Sequence, residues 1–176
     1  MKTYIALLAV ALGACTAGQG QADVTMENSV TFAGAPAGIA DVPVPAGSIP
    51  MDGAVTVDVH DEIESMSKLG TLTATVSKNA LSGPSLAAIQ HIRSTIATED
   101  GKLPVELLTD VDVPAGTTEL ELPLLVSGAQ ILDYLQEGKV SIHFYVTGGI
   151  LPQAITLTHT LIAHVDVAVQ GSVLKL

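Results

Sequence analysis

The densest group of ligand-capable side chains in the 176-residue chain runs from Asp58 to Glu64. Asp58, His60, Glu62 and Glu64 occupy alternate positions, with Asp61 among them. On an extended strand alternate residues share a face, roughly 6–7 Å apart at twice the strand rise. Carboxylates and an imidazole so placed could share a hard cation such as calcium, which takes six or more oxygens. Calcium is normally gathered by a bent loop, however, and no such loop is written here. Asp58, His60 and Glu62 therefore stand as metal candidates against the plainer reading of a solvated acidic face. If the same carboxylates lined a cleft, they would suit a hydrolase.

The five histidines add little to that group. His159 falls on the apolar parity of its run and reads as a hydrogen-bonded core residue. His143 and His164 fall on polar faces of runs expected to be neighbours, where they could approach each other. Two imidazoles are too few ligands for zinc. Ser65-Met66-Ser67-Lys68 and Ser77-Lys78-Asn79 match two short patterns of the penicillin-binding families, but the Lys-Thr-Gly strand that accompanies them is missing. No nucleophile elbow, phosphate loop or His-Glu-x-x-His is present, so no catalytic residues are assigned.

The single cysteine carries the most specific signal. Lys2 gives a positive start, Ile5–Leu12 is apolar, and Leu12-Gly13-Ala14-Cys15 closes the run with small residues. This order is that of a secretory signal. Leu12-Gly13-Ala14-Cys15 resembles the lipobox of bacterial lipoprotein precursors. The resemblance covers residues 1–15 and implies removal of residues 1–14, with a diacylglycerol thioether and an N-acyl chain placed on Cys15. Two or more chains anchor stably where one binds only marginally. The membrane then becomes a partner through Cys15. Thr16 is not the aspartate that signals inner-membrane retention in some Gram-negative lipoproteins, so by the same resemblance the outer membrane is favoured. Ordinary cleavage after Ala14, Ala17 or Ala22 is the competing reading. The apolar run is about half of the roughly 20 residues a membrane span needs.

Without a second cysteine the chain can form no internal disulfide, so its stability must come from a core. Apolar residues make up 48% and charged residues 14%, enough of the former to fill one domain. The net charge of −11 at pH 7 is spread along the chain and disfavours nucleic acid and anionic lipid surfaces. Aromatic residues are scarce, with no Trp, two Phe and three Tyr, which leaves little for an aromatic binding platform.

The elements that must position these residues read mainly as strands. Residues 15–23 are small and polar and read as a flexible tether, followed by a domain over residues 24–176. Val24–Phe32, Val55–Ile63, Leu72–Val76, Thr118–Val126, Lys139–Thr147 and Ala154–Val169 alternate apolar and polar residues. The second and third of these are expected to pair as a hairpin. A mid-strand bulge is expected in the long last run. Asp41–Val44 reads as a short edge piece confined by proline. Leu86–Ala97 fits both periods, and the Asp100-Gly101 turn favours a strand returning through Val105–Val113. Ala129–Glu137 is the one helical stretch, with Ser127 as its cap. Asp41–Ser48 and Asp110–Thr117 share a Pro-Ala-Gly pattern, read as a turn before a strand rather than as a duplication.

About eight strands and one helix imply an all-β antiparallel β-sandwich, immunoglobulin-like or jelly-roll-like. The expected function is a membrane-anchored, non-catalytic binding or structural domain without a cofactor. The alternatives are a carrier of a small apolar ligand between the sheets and the hydrolase on residues 58–64.

Overall fold

A computed structural model describes residues 19–32, 49–149 and 154–169. The apolar run, Cys15 and the Asp41–Ser48 stretch lie outside the described residues. Eight strands and two α-helices occur among those described. They are β1 (Gln19–Phe32), β2 (Ile49–Asp58), α1 (His60–Ser67), β3 (Gly70–Ser82), β4 (Ile89–Thr98), β5 (Glu106–Asp112), β6 (Glu119–Glu121), α2 (Gly128–Gln136), β7 (Lys139–Gly148) and β8 (Ile155–Val169). A 3-10 turn, Pro84–Ala88, leads into β4.

The strands form two four-stranded antiparallel sheets, one in the order β1-β8-β3-β6 and the other β2-β7-β4-β5. The expected β-sandwich is therefore the observed fold. Its core follows from alternation along each strand. In β8 every odd residue from Ile155 to Val167 is buried, and in β7 Val140, Ile142, Phe144 and Val146 are buried. Phe32, Leu81, Ile92, Phe144, Leu157 and Leu161 sit at 0–1% exposure between the sheets. Apolar side chains from both sheets thus meet between the layers as one buried cluster.

Several expectations change. β1 begins at Gln19, where Gln19–Asp23 pair with Ala168–His164 of β8, so the tether assigned to residues 15–23 is shorter than expected. The hairpin between residues 55–63 and 72–76 does not form. β2 pairs with β7 in one sheet, while β3 pairs with β8 and β6 in the other. The bulge lies in β3, between Val76 and Lys78, and β8 runs through it without a change of parity. β6 is only three residues long because Pro123 has no N–H to extend the ladder.

The largest change is α1, which replaces the second half of the expected acidic strand. Val59, Ile63 and Met66 follow helical spacing and turn inward, Val59 and Ile63 buried and Met66 half-buried. Asp61 and Glu62 lie in the first turn, where carboxylates complement the helix dipole. Glu64 and Lys68 form an (i, i+4) ion pair at 2.7 Å. Asp58 stops the strand by accepting the His60 N–H with Oδ1 at 3.2 Å.

α2 occupies the expected position and carries a capping box. Ser127 Oγ accepts the Gln130 N–H, and Gln130 Oε1 accepts the Ser127 N–H at 2.9 Å. Ile131, Leu132, Tyr134 and Leu135 are its buried face. Gly138 follows its C-cap with φ +88°, the left-handed conformation glycine adopts without strain.

Candidate functional site

One pole of the sandwich gathers most of the acidic residues singled out above. β2 ends there at Asp58, opposite the first residue of β7, Lys139. α1 crosses from Asp58 to Gly70, which faces Val169 at the end of β8. α2 ends beside α1, because Gly138 has no side chain. A Cβ there would come within 2.8 Å of His60 Nδ1. The Val59 N–H donates to the Gly138 carbonyl at 2.9 Å and ties the two helices together.

An open cavity of about 620 Å³ lies between these elements, lined by Asp58, His60, Asp61, Glu62, Glu99, Asp100, Glu137, Gly138 and Lys139. The metal candidates Asp58, His60 and Glu62 therefore do line one space. They do so as a strand end and a helix start, and the shared strand face expected for them does not exist. The helix brings a different trio together. One ligand atom each of His60, Asp61 and Glu64 lies within 4.8 Å of the others. All three residues are exposed, and His60 Nε2 is 3.6 Å from Glu64 Oε2. Glu99, Asp100, Glu137 and Lys139 went unnoticed as site residues in the sequence because they come from two separate connections, β4–β5 and α2–β7, far along the chain from Asp58–Glu64.

Cations already hold much of this charge. Lys102 Nζ bridges Glu137 at 2.7 Å and Asp100 at 2.9 Å, and Lys139 reaches Glu99 at 3.5 Å. The Lys102 hydrogen bond holds the Asp100 carboxyl below its ordinary range, and the same two partners raise the Lys102 ammonium. Lys68 likewise holds Glu64 down. Such groups stay ionised at neutral pH, so Asp100 and Glu64 are unsuited to general acid catalysis.

The other candidates are dispersed. His159 is fully buried as expected, its ring edge against Phe144 with centroids 5.0 Å apart. Asn79 donates to the Leu122 carbonyl at 3.1 Å and turns its oxygen to His159 Nε2 at 2.9 Å. Nε2 therefore carries the proton, while Nδ1 has no partner. Burial lowers the His159 pKa to about 4. His143 and His164 do not meet. Both turn away from the core, and they belong to opposite sheets, with His164 bonded to Asp23 across β1 and β8. His91 lies between Asp110 at 2.9 Å and Asp112 at 2.8 Å. The Ser65 and Ser67 hydroxyls are spent on the Asp61 and Glu64 carbonyls of their own helix.

No protein-family model matches the chain, and no curated protein matches it. Among solved structures, one of the infectious bursal disease virus Gx strain aligns with 95% of the chain at 10% identity and a TM-score of 0.41. A carbohydrate-binding module of the β-sandwich superfamily aligns with 82% at 12% identity and a TM-score of 0.31. An antigen and type I fimbria protein of Burkholderia pseudomallei aligns with 82% at 8% identity and a TM-score of 0.25. The chain spans 37% of the first of these chains and 56% of the second.

Proposed function

We propose that this chain is a lipid-anchored exported protein that displays a non-catalytic β-sandwich binding domain. The observation that carries the reading is Leu12-Gly13-Ala14-Cys15 at the end of an apolar run, three residues ahead of β1. Thr16–Gly18 allow Cys15 to lie at most about 14 Å from Gln19, at roughly 3.5 Å per residue. A lipid on Cys15 would therefore hold the α1–α2 pole close to the membrane, since Gln19 pairs with Ala168 at that same end. The opposite pole would face outward. Among the described residues no helix is long and apolar enough to cross a membrane, and a lipid anchor requires none.

The non-catalytic part of the reading is supported by how the titratable groups are employed. At the acidic pole Lys68 is paired with Glu64 and Lys102 with Asp100 and Glu137, and the His159 imidazole is sealed at 0% exposure. The test is the intact mass of the membrane-extracted protein beside a Cys15→Ala variant. The expected result is a mature chain starting at Cys15 with added acyl mass, lost in the variant. An unmodified chain starting at Thr16 or later would overturn the anchor.

A further inference from the structure

The outer face of the β2-β7-β4-β5 sheet carries a row assembled from four strands. Asp52 pairs with Tyr145, Tyr145 with Arg93, and Arg93 with Asp110. All four side chains are exposed on the side opposite the buried Phe144 and Val146. Tyr145 is 47% exposed, a large ring left in water at the centre of the row. Arg93 is the chain's only arginine. The acidic residue beside it, Asp110, lies 2.9 Å from His91 Nε2. Among the described residues Arg93 has no ion pair and the Asp52 carboxylate has no hydrogen-bond partner.

We propose that this row is a binding site for a neutral hexose-containing glycan, with Tyr145 as the stacking platform. The inference rests on the binding-domain reading above and names its ligand class. Neighbouring strands are roughly 5 Å apart, so an acceptor-only carboxylate and a donor-only guanidinium flank the ring at sugar-ring dimensions. A hexose offers an apolar C–H face to an aromatic ring and hydroxyls at its rim that both donate and accept. The hydroxyls on one side donate to Asp52, and those on the other accept from Arg93. The flanking charges of Asp52 and Arg93 are opposite in sign, which suits a ligand that both donates and accepts, while the net charge of −11 opposes a polyanionic one. The sheet fixes all three backbones, so little ordering is needed on binding. The row lies towards the end of β7 away from Lys139, the end that a lipid on Cys15 would leave facing outward.

The test is affinity electrophoresis of the detergent-extracted full chain in native gels containing mannan, β-glucan or galactan, with polygalacturonate as the charged comparison. Retardation is expected in at least one neutral gel. Tyr145→Ala should weaken it by about tenfold or more, and Tyr145→Phe should retain it within about threefold, since the ring persists. Arg93→Gln and Asp52→Asn should each weaken it by several-fold. Absence of retardation in every neutral gel would overturn the proposal. So would retardation confined to polygalacturonate, or retardation unchanged in Tyr145→Ala. Because acylation of Cys15 is read separately by mass, an acylated chain that binds no neutral glycan would refute the glycan site and leave the anchor standing.

Discussion

His159 makes the stability of this protein depend on pH in a direction and by an amount that follow from its surroundings. The imidazole lies between Phe144 and Asn79 at 0% exposure, with Nδ1 unpartnered, so a proton added there would be a buried charge without an acceptor. Its pKa falls from 6.5 to about 4 on burial. Between those values the unfolded chain binds the proton and the folded chain does not. Stability is therefore complete above about pH 6.5, declines as pH falls towards 4, and loses nothing further from this group below that. At 1.36 kcal/mol per pH unit the loss is about 3 kcal/mol, a large part of the 5–15 kcal/mol typical of a domain. The assay is urea unfolding followed by circular dichroism from pH 7.5 to 3.5, on the native protein and on His159→Leu. The variant starts lower, because Asn79 loses its partner, but its stability should vary less with pH through this window. Glu64 and Asp100, both held below their ordinary range, also cost stability in acid as pH falls through their folded values. They act equally in both proteins and cancel in the difference. Equal decline in the two proteins between pH 6.5 and 4 would refute the argument.

Two further substitutions test the packing of α2. Gly128→Ala would place a Cβ 2.1 Å from the Ala74 carbonyl oxygen, so α2 must shift off β3. A loss of about 1–3 kcal/mol in urea unfolding is expected, and an unchanged midpoint would contradict the packing. Ser127→Ala removes the side-chain half of the capping box and should cost about 1 kcal/mol, with Ser127→Asp restoring most of it.

Much of the fold was legible in the sequence wherever a local pattern had a single physical meaning. The odd-numbered apolar residues of β8, the even-numbered ones of β7, the Ser127 cap and the Asp100-Gly101 turn each depend on neighbours within a few positions. The turn is present, with Gly101 at φ +70° and its N–H donating to the Thr98 carbonyl. The expectation of a leader ending before Cys15 rests on local order of the same kind, in residues outside those described. Val55–Ile63 misled because Val59 and Ile63 satisfy strand and helix periods at once. Only the helical partner Met66 and the end of the β2–β7 ladder at Asp58 separate the two.

Tertiary structure alone decided which strands are neighbours. Alternation reports which face of a strand is buried and carries no information about which edge another strand occupies, so β2 and β3 could be read as a hairpin although they lie in opposite sheets. The acidic cavity depends on that partition, since Asp58, Asp100 and Glu137 meet only once both helices close one pole. The row of Asp52, Tyr145 and Arg93 depends on it as well. Each of the three residues is an ordinary exposed strand position in the sequence. Hydrogen-bonded pairing between β2, β7 and β4 makes them adjacent, and that pairing is fixed by a core whose contacts are long-range.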